Sequence, residues 1–158
     1  MLNILAVGSR PNDVELGMGG SILKFNEAGY QVTIDDLTEG KTTPKGNNLE
    51  TEKKESIKSS RILGIEERIS LDFPNGYLQD EIETCQELAE VIRKIQPDII
   101  FIPYWTDTYP DHIATSKICE TAHFYAKFSK TEIKGKPFYV KKIYYYIYLL
   151  LIIGHISS

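Results

Sequence analysis

The sequence is poor in the features that mark several large protein classes. Two cysteines, Cys85 and Cys119, lie far apart and in no metal-like spacing. They argue against a disulfide framework and read as buried thiols of a cytoplasmic protein. There is no surplus of positive charge: 18 Lys and Arg against 22 Asp and Glu leave a net charge of -4. That removes the electrostatic reason to expect nucleic acid or an anionic membrane as a partner. No apolar run reaches the roughly 20 residues of a spanning helix. The longest, Ile143 to Ile153, reads instead as a buried strand, and left exposed it would be β-prone and aggregation-prone. The N-terminus lacks a basic region, so no signal peptide is expected. Internal repeats and low-complexity linkers are also lacking, and a chain of 158 residues is expected to form a single domain over 1–158.

What is present is a regular alternation of strand-like and helix-like segments. Asn3–Val7 is almost wholly apolar, as a strand covered on both faces should be. A helix follows from Glu15 to Ala28, with apolar Leu16, Ile22, Leu23 and Phe25 and with Gly29 as its stop signal. Strands are predicted at Gln31–Leu37, Arg68–Phe73 and Asp98–Pro103, and a fifth within Phe138–Tyr148. Helices are predicted at Leu49 to Leu63, Asp80 to Ile95 and Asp111 to Phe128, and Pro74-Asn75-Gly76 is a turn. Such alternation implies an α/β fold: a Rossmann-like, three-layer, mostly parallel sheet with right-handed crossovers. Its chemistry belongs at the strand carboxyl ends, in loops 8–16, 38–48 and 104–112.

Those loops hold few chemistry-bearing residues. Asp13 and His112 come from two loops the fold should bring to one edge, and both are ordinary zinc ligands. Two donors without a third make a weak signal, and polar loop residues are the simpler explanation. Asp111 follows Pro110 at a helix start, where capping and function are both open. Gly17, Gly19 and Gly20 invite a dinucleotide-binding reading, but Gly8 is followed by Ser9-Arg10-Pro11 and the fingerprint spacing fails. The bland alternative is that these glycines let the first helix approach the sheet closely. His123 lies about 16 Å along the helix from His112, too far to share a metal. Tyr104, Trp105 and Tyr109 are open to two readings, pocket lining or rim packing.

Four ordered segments together resemble one family. Ala6 to Ser21 is similar to its opening motif, Ala-His-Pro-Asp-Asp-x-Glu and a glycine-rich helix start. Asp36-Leu37-Thr38-Glu39-Gly40 resembles its Asp-Leu-Thr-x-Gly segment. Pro74-Asn75-Gly76-Tyr77-Leu78 resembles its Pro-Asp-Gly-x-Leu turn, and Asp107-Thr108-Tyr109-Pro110-Asp111-His112 its Asp-x-His-Pro-Asp-His motif. The family is the PIG-L/LmbE-like zinc N-deacetylases. The resemblance is strongest to the bacterial branch that deacetylates N-acetylglucosaminyl-malate in bacillithiol synthesis. Members continue beyond the element at which this chain stops, so truncation is expected.

The resemblance implies a mononuclear zinc that lowers the pKa of a bound water and polarises an acetamide carbonyl. It also implies a carboxylate base that takes that water's proton. Carried over position by position, Asp13 and His112 fall on two zinc ligands, whereas Arg10 falls on the third. Asn12 falls on the general base and Tyr109 on the His that stabilises the oxyanion. Asp111 is kept, and Glu52 falls on the sugar-binding Arg. A guanidinium has no lone pair for a metal, and an amide cannot take up a proton at neutral pH. The expectation is therefore a member with an impaired catalytic set, weak or absent zinc, and greatly reduced activity. A sugar-binding module without catalysis and a decayed gene product are the alternatives. The expected partner is a small-molecule amino-sugar conjugate, with neither nucleic acid nor membrane. Self-association into a homo-oligomer is left open.

Overall fold

An apolar strand with no polar face has to sit where both faces are covered, and this is where the first strand lies. The computed structural model describes residues 1–40 and 49–147. In β1 (Asn3–Gly8), Ile4, Leu5, Ala6 and Val7 are all fully buried. β1 pairs with β2 (Gln31–Asp36) on one side and β4 (Ile99–Pro103) on the other. β3 (Glu67–Ser70) extends the sheet beyond β2, and β5 (Lys142–Tyr146) beyond β4. The order is β3-β2-β1-β4-β5, and every pair is parallel.

Side-chain alternation along β1 sorts the core into two layers. Leu5 and Val7 face α3 (Ile82–Ile95) and α4 (Pro110–Ala126), through Leu88, Ile92, Ile118 and Ala122. Ile4 and Ala6 face α1 (Asp13–Glu27) and α2 (Leu49–Leu63), through Val14, Met18, Ile22 and Leu63. The strand order reverses between β1 and β4, so the loops after these strands flank the crevice where such folds place their chemistry.

Several local expectations are corrected. In α1 the inward face is Val14, Met18 and Ile22, while Leu16 is 74% exposed. The helix is kinked at Met18 (φ -149°, ψ 19°), yet Val14, Met18 and Ile22 keep an i, i+4 spacing, so Leu16, two residues from both Val14 and Met18, faces the other side. Of the three glycines, Gly17 alone accommodates a close approach, and to an aromatic ring: a Cβ there would overlap Tyr146. The third strand leaves the ladder at Ser70, although Leu71 N–H still donates to Asp36 O and Phe73 N–H to Leu37 O. Among the described residues the fifth strand lies on the sheet edge: Tyr146 is buried, but Tyr144 and Tyr145 are exposed. The remainder of the apolar run, from residue 148, and the loop at 41–48 lie outside the described residues.

Candidate functional site

The site forms at the strand-order reversal, from the start of α1 and the start of α4. Asn12 precedes α1 in the left-handed region (φ 82°), which Asn tolerates better than most residues. That turn folds the loop back over the helix start. The Asp13 Oδ2 atom accepts the backbone N–H of Ser9 (3.1 Å), the N–H of Arg10 (3.1 Å) and the Ser9 hydroxyl. Gly8 leaves room for this: a Cβ there would lie 3.1 Å from both Asp13 Cβ and Val14 Cγ2. Asp13 Oδ1 faces Arg10 Nε at 3.7 Å.

From the other loop, His112 Nε2 stands 3.4 Å from Asp13 Oδ2. Its Nδ1 lies 3.0 Å from Asp107 Oδ2. A carboxylate on one ring nitrogen fixes the tautomer and aims the other nitrogen, the arrangement that orients metal-binding histidines. Burial alone would lower the His112 pKa, but its contacts with Asp13 and Asp107 outweigh that and raise it. The Tyr109 ring is stacked on His112, with centroids 5.3 Å apart, and the Arg10 guanidinium carbon lies 5.5 Å from the Tyr109 ring centre.

The structure thus brings Arg10, Asp13, Tyr109 and His112 together. Asn12 is exposed at the mouth and makes no capping hydrogen bond. Asp111 is not a helix cap. It accepts Gly76 N–H at 2.6 Å and Leu78 N–H at 3.3 Å, tying the Pro74-Asn75-Gly76 turn to the start of α4. Glu52 lies against Gly40 (φ 73°), where a Cβ would crowd both its carboxylate and Pro11. A cleft of about 390 Å³ opens on that side, lined in part by Pro11, Asp36, Glu39, Lys53 and Arg68. His123 is removed from the site and pairs through Nε2 with Val140 O at 3.1 Å. Trp105 packs against Tyr104 and Tyr145.

Two features escaped sequence reasoning. One is Asp107, which orients His112; its signal was a carboxylate five residues before a candidate ligand. The other is a buried ionic cluster beneath the site. Arg68 donates from Nε to Asp36 Oδ2 and from Nη1 to Glu15 Oε1, both at 2.6 Å. Burial pushes the Glu15 carboxyl up, but Arg68 outweighs it and the net shift is downward. For Asp36 burial wins over Arg68, and its pKa is pushed up to about 6.

The donor set does not fit a metal of the kind the resemblance implies. Among the described residues, no three His, Cys, Asp or Glu side chains are grouped so that they could hold a metal ion. The side chain that stands beside Asp13 from its own loop is Arg10, whose guanidinium cannot ligate.

The sequence pattern of the PIG-L family, described as GlcNAc-PI de-N-acetylase, matches residues 5–123. The chain belongs to this family. It is 34% identical over 118 residues to the diacetylchitobiose deacetylase of Thermococcus kodakarensis, covering 69% of this chain and 44% of that protein. It is 28% identical over 119 residues to the uncharacterized deacetylase YaiS of Escherichia coli, covering 70% of this chain and 62% of that one. The fold is similar to the crystal structure of the conserved protein TT1542 from Thermus thermophilus, with a TM-score of 0.88 and 37% identity over 93% of this chain and 67% of that one. The chain thus spans about half the length of the curated relatives it matches.

Proposed function

We propose that this PIG-L family chain derives from a deacetylase acting on N-acetylglucosamine-type conjugates, and that its own site is impaired in metal binding and hydrolysis. The observation that carries this reading is Arg10, which stands beside Asp13 where a third metal ligand would be needed. The motif resemblance supports an N-acetylglucosaminyl conjugate of the bacillithiol-synthesis kind as the ancestral substrate, handled in the cytoplasm.

The residues present account for the expected loss. Asn12 offers an amide where a base is required, and a positioned general base is worth about 10²–10⁴ in rate. Tyr109 keeps a hydroxyl that can donate to a developing oxyanion, so the roughly 10²–10³ carried by such a donor is lost only in part. Asp13 remains held by two backbone N–H groups and the Ser9 hydroxyl. A non-catalytic sugar-binding reading draws on Arg10, Asn12 and Tyr109, which are all hydrogen-bond donors at the mouth, whereas Glu52 beside Pro11 opposes it.

An assay of acetate release from N-acetylglucosaminyl-malate and diacetylchitobiose, with added Zn²⁺ and with chelator, tests the proposal. Background-level release under both conditions is expected. Zinc-dependent turnover would overturn it.

A further inference from the structure

We propose that Arg10 takes the electrostatic place of a bound cation at this site, as the permanent counter-charge of Asp13, and that through Tyr109 it fastens the loop after β1 to the start of α4. The Asp13 carboxylate is buried, and a buried charge is costly unless it is paired and hydrogen-bonded. Its two oxygens are served differently. Oδ2 takes the Ser9 and Arg10 donors and faces His112. Oδ1 faces Arg10 Nε at 3.7 Å.

The guanidinium is held from two sides. Nε points to Asp13, while the planar group lies over Tyr109, an arrangement that suits arginine better than lysine. Tyr109 in turn stacks on His112, and His112 contacts Asp13. The four side chains therefore close a circuit, Asp13 to Arg10 to Tyr109 to His112 and back, across the crevice between the two loops. Two positions at which the chain departs from the pattern it resembles, 10 and 109, are in contact with each other. A guanidinium stays protonated at any pH the protein meets, so this cation needs neither metal supply nor pH control.

Arg10's role rests on the reading that the metal position is taken, and it can fail separately. The test is thermal melting of the full chain and its variants in chelator and in added Zn²⁺. Arg10→Met keeps side-chain bulk and removes the charge. It is expected to lower Tm by about 2–4 °C, the shift of a partly exposed contact in a domain of this size. Arg10→Lys keeps the charge without the flat stack and is expected to recover part of that loss. Combining Arg10→Met with Tyr109→Ala is expected to cost less than the sum of the two single changes, as residues in contact should. Arg10→Met melting at or above the parent, or Arg10→Lys melting no higher than Arg10→Met, would overturn Arg10's role alone. A Zn²⁺-dependent rise in the parent's Tm would overturn the reading beneath it.

Discussion

Arg10 Nε lies 3.7 Å from Asp13 Oδ1, so a cation that cannot ligate metal occupies the approach to the carboxylate best placed to do so. Exchanging that one side chain should change what the site binds. Arg10→His, with Asn12→Asp and Tyr109→His, would place a third donor beside Asp13 and His112 and return a base and an imidazole donor. The triple variant is expected to gain tight zinc, read as metal content after gel filtration and as a Zn²⁺-dependent rise in Tm. A folded triple variant that still binds no zinc would show that the ligand geometry has been lost beyond these three side chains.

The packing of α1 on the sheet should depend on Gly17. The Tyr146 hydroxyl donates to Val7 O at 2.7 Å, and its ring covers the α1 backbone at Gly17. Gly17→Ala forces a methyl into that ring and is expected to cost about 1–3 kcal/mol, as overpacking does. Tyr146→Phe keeps the ring and should cost only about 1 kcal/mol for the lost hydrogen bond. Urea denaturation of both variants measures the two effects, and equal losses would contradict the packing argument.

Stability should fall as pH rises above the mildly acidic range. Asp35 is fully buried, and its carboxylate has no hydrogen-bond partner among the described residues. Burial, with Asp36 adding to it, pushes its pKa well up. Asp36 is also raised, to about 6, by burial against the pull of Arg68. An unfolded Asp ionises near pH 4, so between there and the folded pKa the native state holds the extra proton. Stability contributed by the neutral form is complete below the unfolded pKa and is lost as pH rises through the folded one. Glu15, lowered by Arg68, works in the opposite sense as pH falls. Urea midpoints should therefore be higher near pH 5 than near pH 8. Asp35→Asn should flatten that slope, and an unchanged slope would contradict the assignment.

Arg93 should prove the most costly single side chain to remove from the helical layer on its face. It is 4% exposed and donates to the carbonyls of Ala126, Phe128, Ile133 and Gly135, gathering the segment after α4. Hydrogen bonds to charged groups contribute about 1.5–3 kcal/mol each, so Arg93→Ala should cost at least about 3 kcal/mol. Arg93→Lys should recover little, because one ammonium cannot serve the fork of acceptors. Urea denaturation distinguishes this from a surface role, in which both variants would lie close to the parent.

The sheet and the edge that carries the site were legible because they rest on strong local signals. The apolar run of β1, the Gly29 stop and the pairing of Asp13 with His112 across two loops could all be read from residue type and spacing. Other features depend on contacts between residues distant in sequence. Asp111 resembles a helix cap in the sequence, and only the approach of residues 76–78 gives it another partner. Arg68, at the start of a plain strand, gains its meaning from Glu15 and Asp36, which lie 53 and 32 residues away. The kink at Met18 within α1 is a backbone feature that residue periodicity does not register. The contact between Arg10 and Tyr109 joins two positions that each read as a separate loss.

Under the proposed function, Arg10 has displaced the metal from this site. Metal analysis of the purified full chain, equilibrated with Zn²⁺ and then freed of loosely held ions, tests it most directly. Far less than one zinc per chain is predicted, whereas about one tightly bound zinc per chain, as a complete three-ligand site would hold, would contradict it.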